Sequence, residues 1–203
     1  QSMGRNRNRR LERTDAISWS VGLHPDYPRA PFPMCFTRAA LEHLLETVGT
    51  QPPETGAKGF GPKDRIGFDV IEPDVRGSLE AGFAVYRPDS VWGAARCAHH
   101  LSGRDDEVRL WTGDLHSHPR GFGIPTTGTG WAQGDLSYVE EVFFQNEWME
   151  WFLLPILTGV GTPHVRIHPW ACRRSDPLRP LIANVEIRPV DHFPERLFNP
   201  FWE

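Results

Sequence analysis

The sequence predicts an α/β domain, a central β-sheet flanked by two or three helices. Three observations carry this. Apolar residues recur at helical spacing in three places. Short alternating or continuous apolar runs lie between them. Glycine- and proline-rich stretches separate the two kinds of segment.

Taken in order, residues 17–36 begin with a short alternating stretch and then turn proline-rich, which predicts extended chain over the surface. Thr37 is placed to cap a helix. Leu41, Leu44, Leu45 and Val48 fall at i, i+3, i+4 and i+7, and Gly49 ends the stripe. Ile66, Phe68 and Val70 alternate as a half-buried strand does, and "GFAVY" at 82–86 predicts another. Ser90 is a candidate cap for a second helix, with Val91, Ala94, Ala95, Ala98 and Leu101 on one face. Val108 and Leu110 start a strand that runs into "GDLHSHP". After Asp135 a third helix turns Leu136, Val139, Val142 and Phe143 inward. "WFLLPILTG" is short enough for a buried strand, "HVRIHPW" alternates, and "NVEIR" is one more possible strand in the proline-rich residues 174–203.

At 203 residues the chain fits one domain with decorated ends. Its apolar content is modest, but eight Trp and twelve Phe supply large surfaces to bury. No apolar run approaches transmembrane length, so no membrane association is expected. Cys35, Cys97 and Cys172 are odd in number and widely spaced, which implies no disulfide framework and makes a cytoplasmic location the default. The net charge of −4 hides an asymmetry. Five arginines crowd residues 5–13, while the rest of the chain is acidic. Residues 1–16 therefore predict a basic disordered arm. A solvated leader is preferred to a nucleic-acid contact, because no aromatic residue interleaves with the arginines. An acidic body argues against nucleic acid as the main ligand.

The chemistry concentrates in "GDLHSHPRGFGIPTTGTGWAQGDLSY", residues 113–138. Residues two apart on a strand share a face, so His116 and His118 at a strand end would aim both imidazoles at one point. Asp135 opens a predicted helix, whose positive end favours a carboxylate. Two His and one Asp suit Zn²⁺ with a fourth position open. Such an ion makes hydroxide available near neutral pH, and the site then needs a general base that is not a ligand. The alternative is a polar loop that contains two histidines, since HxH alone is a weak signal. Asp114 shares the strand face of His116 and could stand behind a ligand. His99 and His100 diverge on a helix and suit solvent. His164, His168 and Cys172 lack a fourth ligand for a structural zinc and read as strand and turn residues. Trp111 and Trp131 flank the motif as packing residues, with Trp131 also placed to line a substrate groove. The terminal "NPFWE" could pin the tail to the body or serve as a docking peptide.

Pro119 completes H-S-H-P, and "ETGAKGFG" at 54–61 stands upstream between a helix and a strand. With these pieces the sequence resembles the JAB/MPN zinc metalloproteases and their JAMM motif, over residues 35–170. That motif is a distant Glu, then H-x-H-P, then S-x-x-D. Glu54, Gly56 and Gly61 match the Glu segment. His116, His118, Pro119 and Asp135 match the rest. The resemblance implies a cytidine-deaminase-like JAB/MPN domain over 17–173, with residues 174–203 as a C-terminal extension packed on it. It implies one zinc per chain held by His116, His118 and Asp135, with Glu54 as general base. The implied reaction is hydrolysis of a peptide or isopeptide bond after the tail of a ubiquitin-like protein. It implies a prokaryotic deubiquitinase-like member, of which the component of a Bil-type antiphage operon is one kind, with E1- or E2-like operon partners.

Two departures from the pattern stand out. The span between His118 and Asp135 is longer than usual in the family. Ala132 occupies the place of the family serine, which assists the oxyanion. Thr126, Thr127 or Thr129 could supply that hydroxyl, with Trp131 beside the same loop. Two further readings remain open here. One is a scaffold of MPN fold that binds a ubiquitin-like or conjugating-enzyme partner with little chemistry. The other is an unrelated metal hydrolase that recruits Asp114.

Overall fold

The computed structural model describes residues 17–75, 88–128 and 134–196. The arm at 1–16, "GFAVY" at 82–86, Thr129, Trp131, Ala132 and "NPFWE" lie outside the described residues. The architecture is mixed α/β, as the alternation of helical and strand-like segments predicts. Strands β1 (Ser18–Val21), β3 (Gly56–Pro62), β4 (Val70–Pro73), β5 (Arg109–Ser117), β6 (Trp151–Thr158), β7 (His164–Arg173) and β8 (Asp176–Ile182) form one sheet. Its order is β1-β7-β6-β5-β3-β4, with β8 paired to β7. The pairs β1/β7 and β5/β6 are parallel; β6/β7, β3/β5, β3/β4 and β7/β8 are antiparallel. A separate parallel pair joins β2 (Met34–Phe36) to β9 (Val185–Ile187). The residues beyond 173 thus contribute strands to both sheets.

Helix α1 (Arg38–Thr47) forms where the apolar stripe predicts it. Thr37 caps it, accepting a hydrogen bond from the Ala40 N–H at 3.2 Å, and Leu41, Leu44, Leu45 and Val48 are buried. They pack on one face of the sheet with Met34, Phe36, Phe68, Leu115 and Leu153. Helix α3 (Asp135–Gln145) covers a second cluster. Its Leu136, Val139, Val142 and Phe143 meet Phe152, Leu154, Ile156 and Trp170. β6 is buried along nearly its whole length, as its continuous apolar run predicts, because α1 and α3 occupy opposite faces.

Helix α2 (Ser90–Leu101) departs from expectation in two respects. Its cap is Asp89, not Ser90: the Asp89 carboxylate accepts from the Val91 and Trp92 N–H groups at 3.1 and 3.0 Å. Its Val91–Leu101 face is exposed, and Gly93 is the buried residue, set against the Lys58 stem. Ile66 and Phe68 are buried as predicted but precede β4. They hydrogen-bond to Pro194 and Cys35 rather than to a continuous ladder. β8 has no counterpart in the sequence expectation; Pro177 and Pro180 fall at the irregularity between the Ala171–Leu181 and Arg173–Asp176 pairs, where the ladder asks for no N–H. The three cysteines are free, and burial pushes the Cys35 and Cys172 thiols up to about 11 and about 12. Among the described residues no helix is long and apolar enough to cross a membrane.

Gly113 sits where β5 presses on β6. A Cβ there would overlap the Leu153 carbonyl oxygen, a backbone atom that cannot swing aside. Gly113→Ala is expected to destabilise the protein by about 1–3 kcal/mol, read from the urea midpoint. An unchanged midpoint would mean that the strands can part there at no cost.

Candidate metal centre

Three separated pieces of chain supply the candidate site. His116 lies in the last turn of the β5 ladder, opposite Gly56 of β3 and Ile156 of β6. His118 follows the end of β5, held to β6 by its N–H to the Leu157 carbonyl at 2.8 Å. Glu54 stands two residues before β3. Its place is set by Ser117, the residue between the histidines: the Ser117 N–H donates to the Thr55 carbonyl at 2.8 Å, and the Thr55 N–H donates to Ser117 Oγ at 3.0 Å. Ser117 faces away from the imidazoles, as alternation requires. It is a positioning residue that the motif marks only as a variable letter.

Glu54, His116 and His118 are all buried and each offers a ligand atom within 4.8 Å of the others, a group that could hold a metal ion. Asp135 joins them from the first residue of α3. Its Oδ1 lies 3.0 Å from His116 Nε2 and its Oδ2 lies 3.5 Å from His118 Nε2. The two Nε2 atoms are 2.9 Å apart. Ligand atoms on one tetrahedral ion at about 2.0–2.1 Å sit roughly 3.3 Å from one another, so these spacings fit a shared ion. Glu54 Oε2 lies 3.8 Å from His118 Nε2, so all four side chains border one point.

The surroundings favour positive charge at the centre. His118 Nδ1 contacts the Phe122 carbonyl at 2.8 Å, which makes it the protonated nitrogen and leaves the Nε2 lone pair toward the cluster. Burial disfavours the His118 imidazolium, yet Asp135 and Glu54 outweigh it and raise its pKa above the ordinary value. Burial also works against the Asp135 anion. The His116 and His118 rings outweigh that and hold its carboxyl well below the usual range. The start of α3 adds its own positive end.

Thr126 grips the same carboxylate. Its N–H and Oγ donate to Asp135 Oδ2 at 2.7 and 3.0 Å, and the Asp135 N–H returns to Thr126 Oγ at 3.1 Å. This hydroxyl is engaged with a ligand rather than free for an oxyanion. Thr127 is exposed. Asp114, considered as a partner behind a ligand, takes its bonds elsewhere. Lys58 Nζ, Trp111 Nε1 and the Tyr138 hydroxyl donate to it at 3.2, 2.8 and 2.6 Å. Its tie to the site runs through Tyr138, one turn along α3 from Asp135.

Two histidines set aside in the sequence have specific surroundings. His100 contacts Glu72 at 2.8 Å and stacks on Phe60, so it is not simply solvated. His168 is buried, with Nδ1 2.7 Å from His24 Nε2 and Nε2 2.9 Å from Thr158 Oγ.

No protein-family model matches the chain, and no curated protein matches it. Among solved structures, a solution structure from Desulfitobacterium hafniense aligns with a TM-score of 0.48 at 11% identity, covering 76% of this chain and 92% of that one. Another from Salinibacter ruber aligns at 0.46 and 18% identity, covering 82% and 99%. Both are structural-genomics targets described without a named activity. Likeness at this level establishes neither a shared fold nor a shared activity.

Three outcomes follow from the geometry. Thr126→Val is expected to weaken metal affinity about tenfold, measured by competition with a chromogenic chelator; unaltered affinity would deny Thr126 its hold on Asp135. Asp114→Ala strands buried Lys58 and is expected to cost about 3–5 kcal/mol. Adding Lys58→Met should recover part of that loss in chemical denaturation, and no recovery would count against the ion pair. The third concerns His168, whose pKa is lowered to about 4 by burial, then by His24, Arg166 and His118. A depressed imidazole gives stability that is full above the unfolded pKa near 6.5 and lost as pH falls toward 4. Wild type should therefore lose up to about 3 kcal/mol more than His168→Gln between pH 7 and pH 4. Parallel pH curves for the two proteins would refute this.

Proposed function

We propose that the protein is a zinc-dependent metallopeptidase of JAB/MPN type. The observation that carries this reading is the division of labour among four buried or half-buried side chains. His116, His118 and Asp135 converge at ligand spacing, and the Glu54 carboxylate lies beside them, 3.8 Å from His118 Nε2. Three ligands with a carboxylate beside them is the arrangement of hydrolytic sites, not of closed structural ones. The order of the pieces along the chain is that of the JAMM motif.

His116, His118 and Asp135 would hold the metal. When bound, zinc acts as a Lewis acid toward a carbonyl and lowers the pKa of water. The residues do the rest. Phe122 fixes the His118 tautomer, and Thr126 keeps Asp135 oriented. Glu54 accepts the proton of the attacking water and delivers it to the leaving amine, with the amide C–N bond broken and one carboxylic acid and one amine released. Glu54 is buried, so its proton returns to the reaction rather than to solvent. The substrate we assign is a peptide or isopeptide bond after the tail of a ubiquitin-like protein, in a bacterial antiphage setting with E1- or E2-like partners.

Elemental analysis of the purified protein beside His118→Ala is the deciding experiment. We expect near one zinc per chain in wild type and loss of it in the variant. Glu54→Gln should keep the metal and lower turnover of a ubiquitin-like fusion by about a hundredfold or more. A wild-type protein that takes up no zinc would end the enzyme reading and leave the scaffold, to be pursued by partner capture. A Glu54→Gln enzyme of full activity would remove Glu54 from the proton path.

A further inference from the structure

A second concave feature lies across the Phe122–Gly123 backbone from the metal centre. The Phe122 carbonyl faces His118 on one side. On the other side Gly123 forms part of a cleft of about 430 Å³, together with His24, Arg120, His164, Arg166 and His168. The cleft has a rigid floor. Thr158 and His24 hold both nitrogens of His168, and Trp170 Nε1 donates to the Gly123 carbonyl at 2.7 Å. A Cβ at Gly22 or Gly123 would overlap the His168 ring, so both glycines are needed for the walls to close on it. His164 is fixed as well, with Ser18 Oγ and Ser20 Oγ each 2.8 Å from a ring nitrogen.

The charge of this cleft is one-sided. Among the described residues no Asp or Glu lines it, although the chain as a whole is acidic. Among the described residues Arg120 and Arg166 form no ion pair, unlike Arg96, Arg104 and Arg109, which each hold a carboxylate. Two guanidinium groups with free donors over a fixed floor match an oxyanion of planar, bidentate geometry. The rim is apolar. Leu23, 85% exposed, and Ile124, 45% exposed, both line the cleft. A carboxylate on an otherwise apolar stretch of peptide satisfies both features. A bare inorganic anion leaves the rim unused.

We propose that this cleft is a substrate subsite that binds a carboxylate of the polypeptide being cut, through Arg120 and Arg166, beside the hydrolytic centre. The inference rests on the peptidase reading for its use, but its binding chemistry is separable from turnover. The carboxylate has two sources, an acidic side chain near the scissile bond or a free C-terminus.

The test is a titration of the full-length, zinc-loaded protein with short blocked peptides, followed by backbone amide NMR shifts. One pair is acetyl-Leu-Glu-Gly-amide and its Gln counterpart. The other is acetyl-Leu-Gly-Gly as the free acid and as the amide. We expect one acid of these pairs to bind about tenfold tighter than its neutral partner, with shifts at Gly121, Gly123 and Ile124. The pair that discriminates names the source. Arg166→Gln and Arg120→Gln, both exposed positions, should abolish the discrimination and leave the affinity for neutral peptides unchanged. Equal binding within both pairs, no binding of either acid, or discrimination that survives both substitutions would overturn the subsite. So would inorganic phosphate that outcompetes the acidic peptide at equal concentration. Arg-dependent discrimination in a protein that cleaves nothing keeps the subsite and discards the peptidase. Cleavage that ignores the acid, without discrimination in binding, does the reverse.

Discussion

The register between β3 and β5 depends on a buried ion pair. Lys58 and Asp114 are directly opposite in the ladder and 3.2 Å apart, with both side chains buried. A slip of one residue would put the two side chains on opposite faces of the sheet and leave two buried charges unpaired, at several kcal/mol apiece. Such a pair adds little net stability over a well-packed apolar one, but it penalises every other alignment. Two residues along the same ladder, Gly56 faces His116, and the Thr55–Ser117 bonds carry that alignment to Glu54. Asp114 also accepts from Tyr138 of α3, whose first residue is Asp135. One carboxylate that touches neither histidine thus aligns the strand of the histidines with the strand behind Glu54 and the helix of Asp135. Lys58 stacks 3.6 Å over the Trp111 ring, and Gly93 lets α2 close on its stem, so the pair is sealed from water.

Once aligned, the four site residues form an arrangement that favours a cation electrostatically. Neutral imidazoles and two carboxylates give a buried group of net negative charge, which is costly without compensation. The raised pKa of His118 and the lowered pKa of Asp135 express the same field from two sides. A divalent ion satisfies it in place of protons, which links metal affinity to pH. The sequence motif specifies donor types. The field comes from their burial together, and that is a property of the packed sheet.

Much of this was legible in the residues. The stripes of α1 and α3 and the buried run of β6 follow from periodicity, because those segments bury one face or two and little else constrains them. The shared face of His116 and His118 follows from strand alternation, while Asp135 enters from its place at a helix start and from the motif the sequence resembles. Where reading failed, a tertiary contact had overridden the local pattern. The apolar side of α2 predicts an inward face at Val91, Ala94 and Leu101, but the helix turns Gly93 inward because the Lys58 stem needs the space. Ser90 looks like a cap, yet Asp89 is one residue earlier and is itself placed by its N–H to Asp74 at 2.8 Å. Asp114 reads as a companion of His116 because both share a strand face. Its partners on β3 and α3 are distant in sequence and invisible to spacing. Ser117 carries no signal at all in H-x-H, since its value lies in a chain segment sixty residues away.

The long span between His118 and Asp135 is the clearest departure from the motif it resembles, and its described part is not slack chain. The Phe122 carbonyl orients one ligand, and the Gly123 carbonyl takes the Trp170 indole. Thr126 holds Asp135 by two bonds and accepts the Leu136 N–H at 3.1 Å, and the Gly128 carbonyl takes the Ser137 hydroxyl. A shorter connection could join β5 to α3, but it could not both brace the two outer ligands and wall a cleft beside them. Glycine is required at the crossing because Gly123 lies against the His168 ring with no room for a side chain. The same strap therefore couples the geometry of the metal centre to the shape of the neighbouring cleft. A ligand that displaces Gly123 must also disturb the carbonyl that fixes the His118 tautomer.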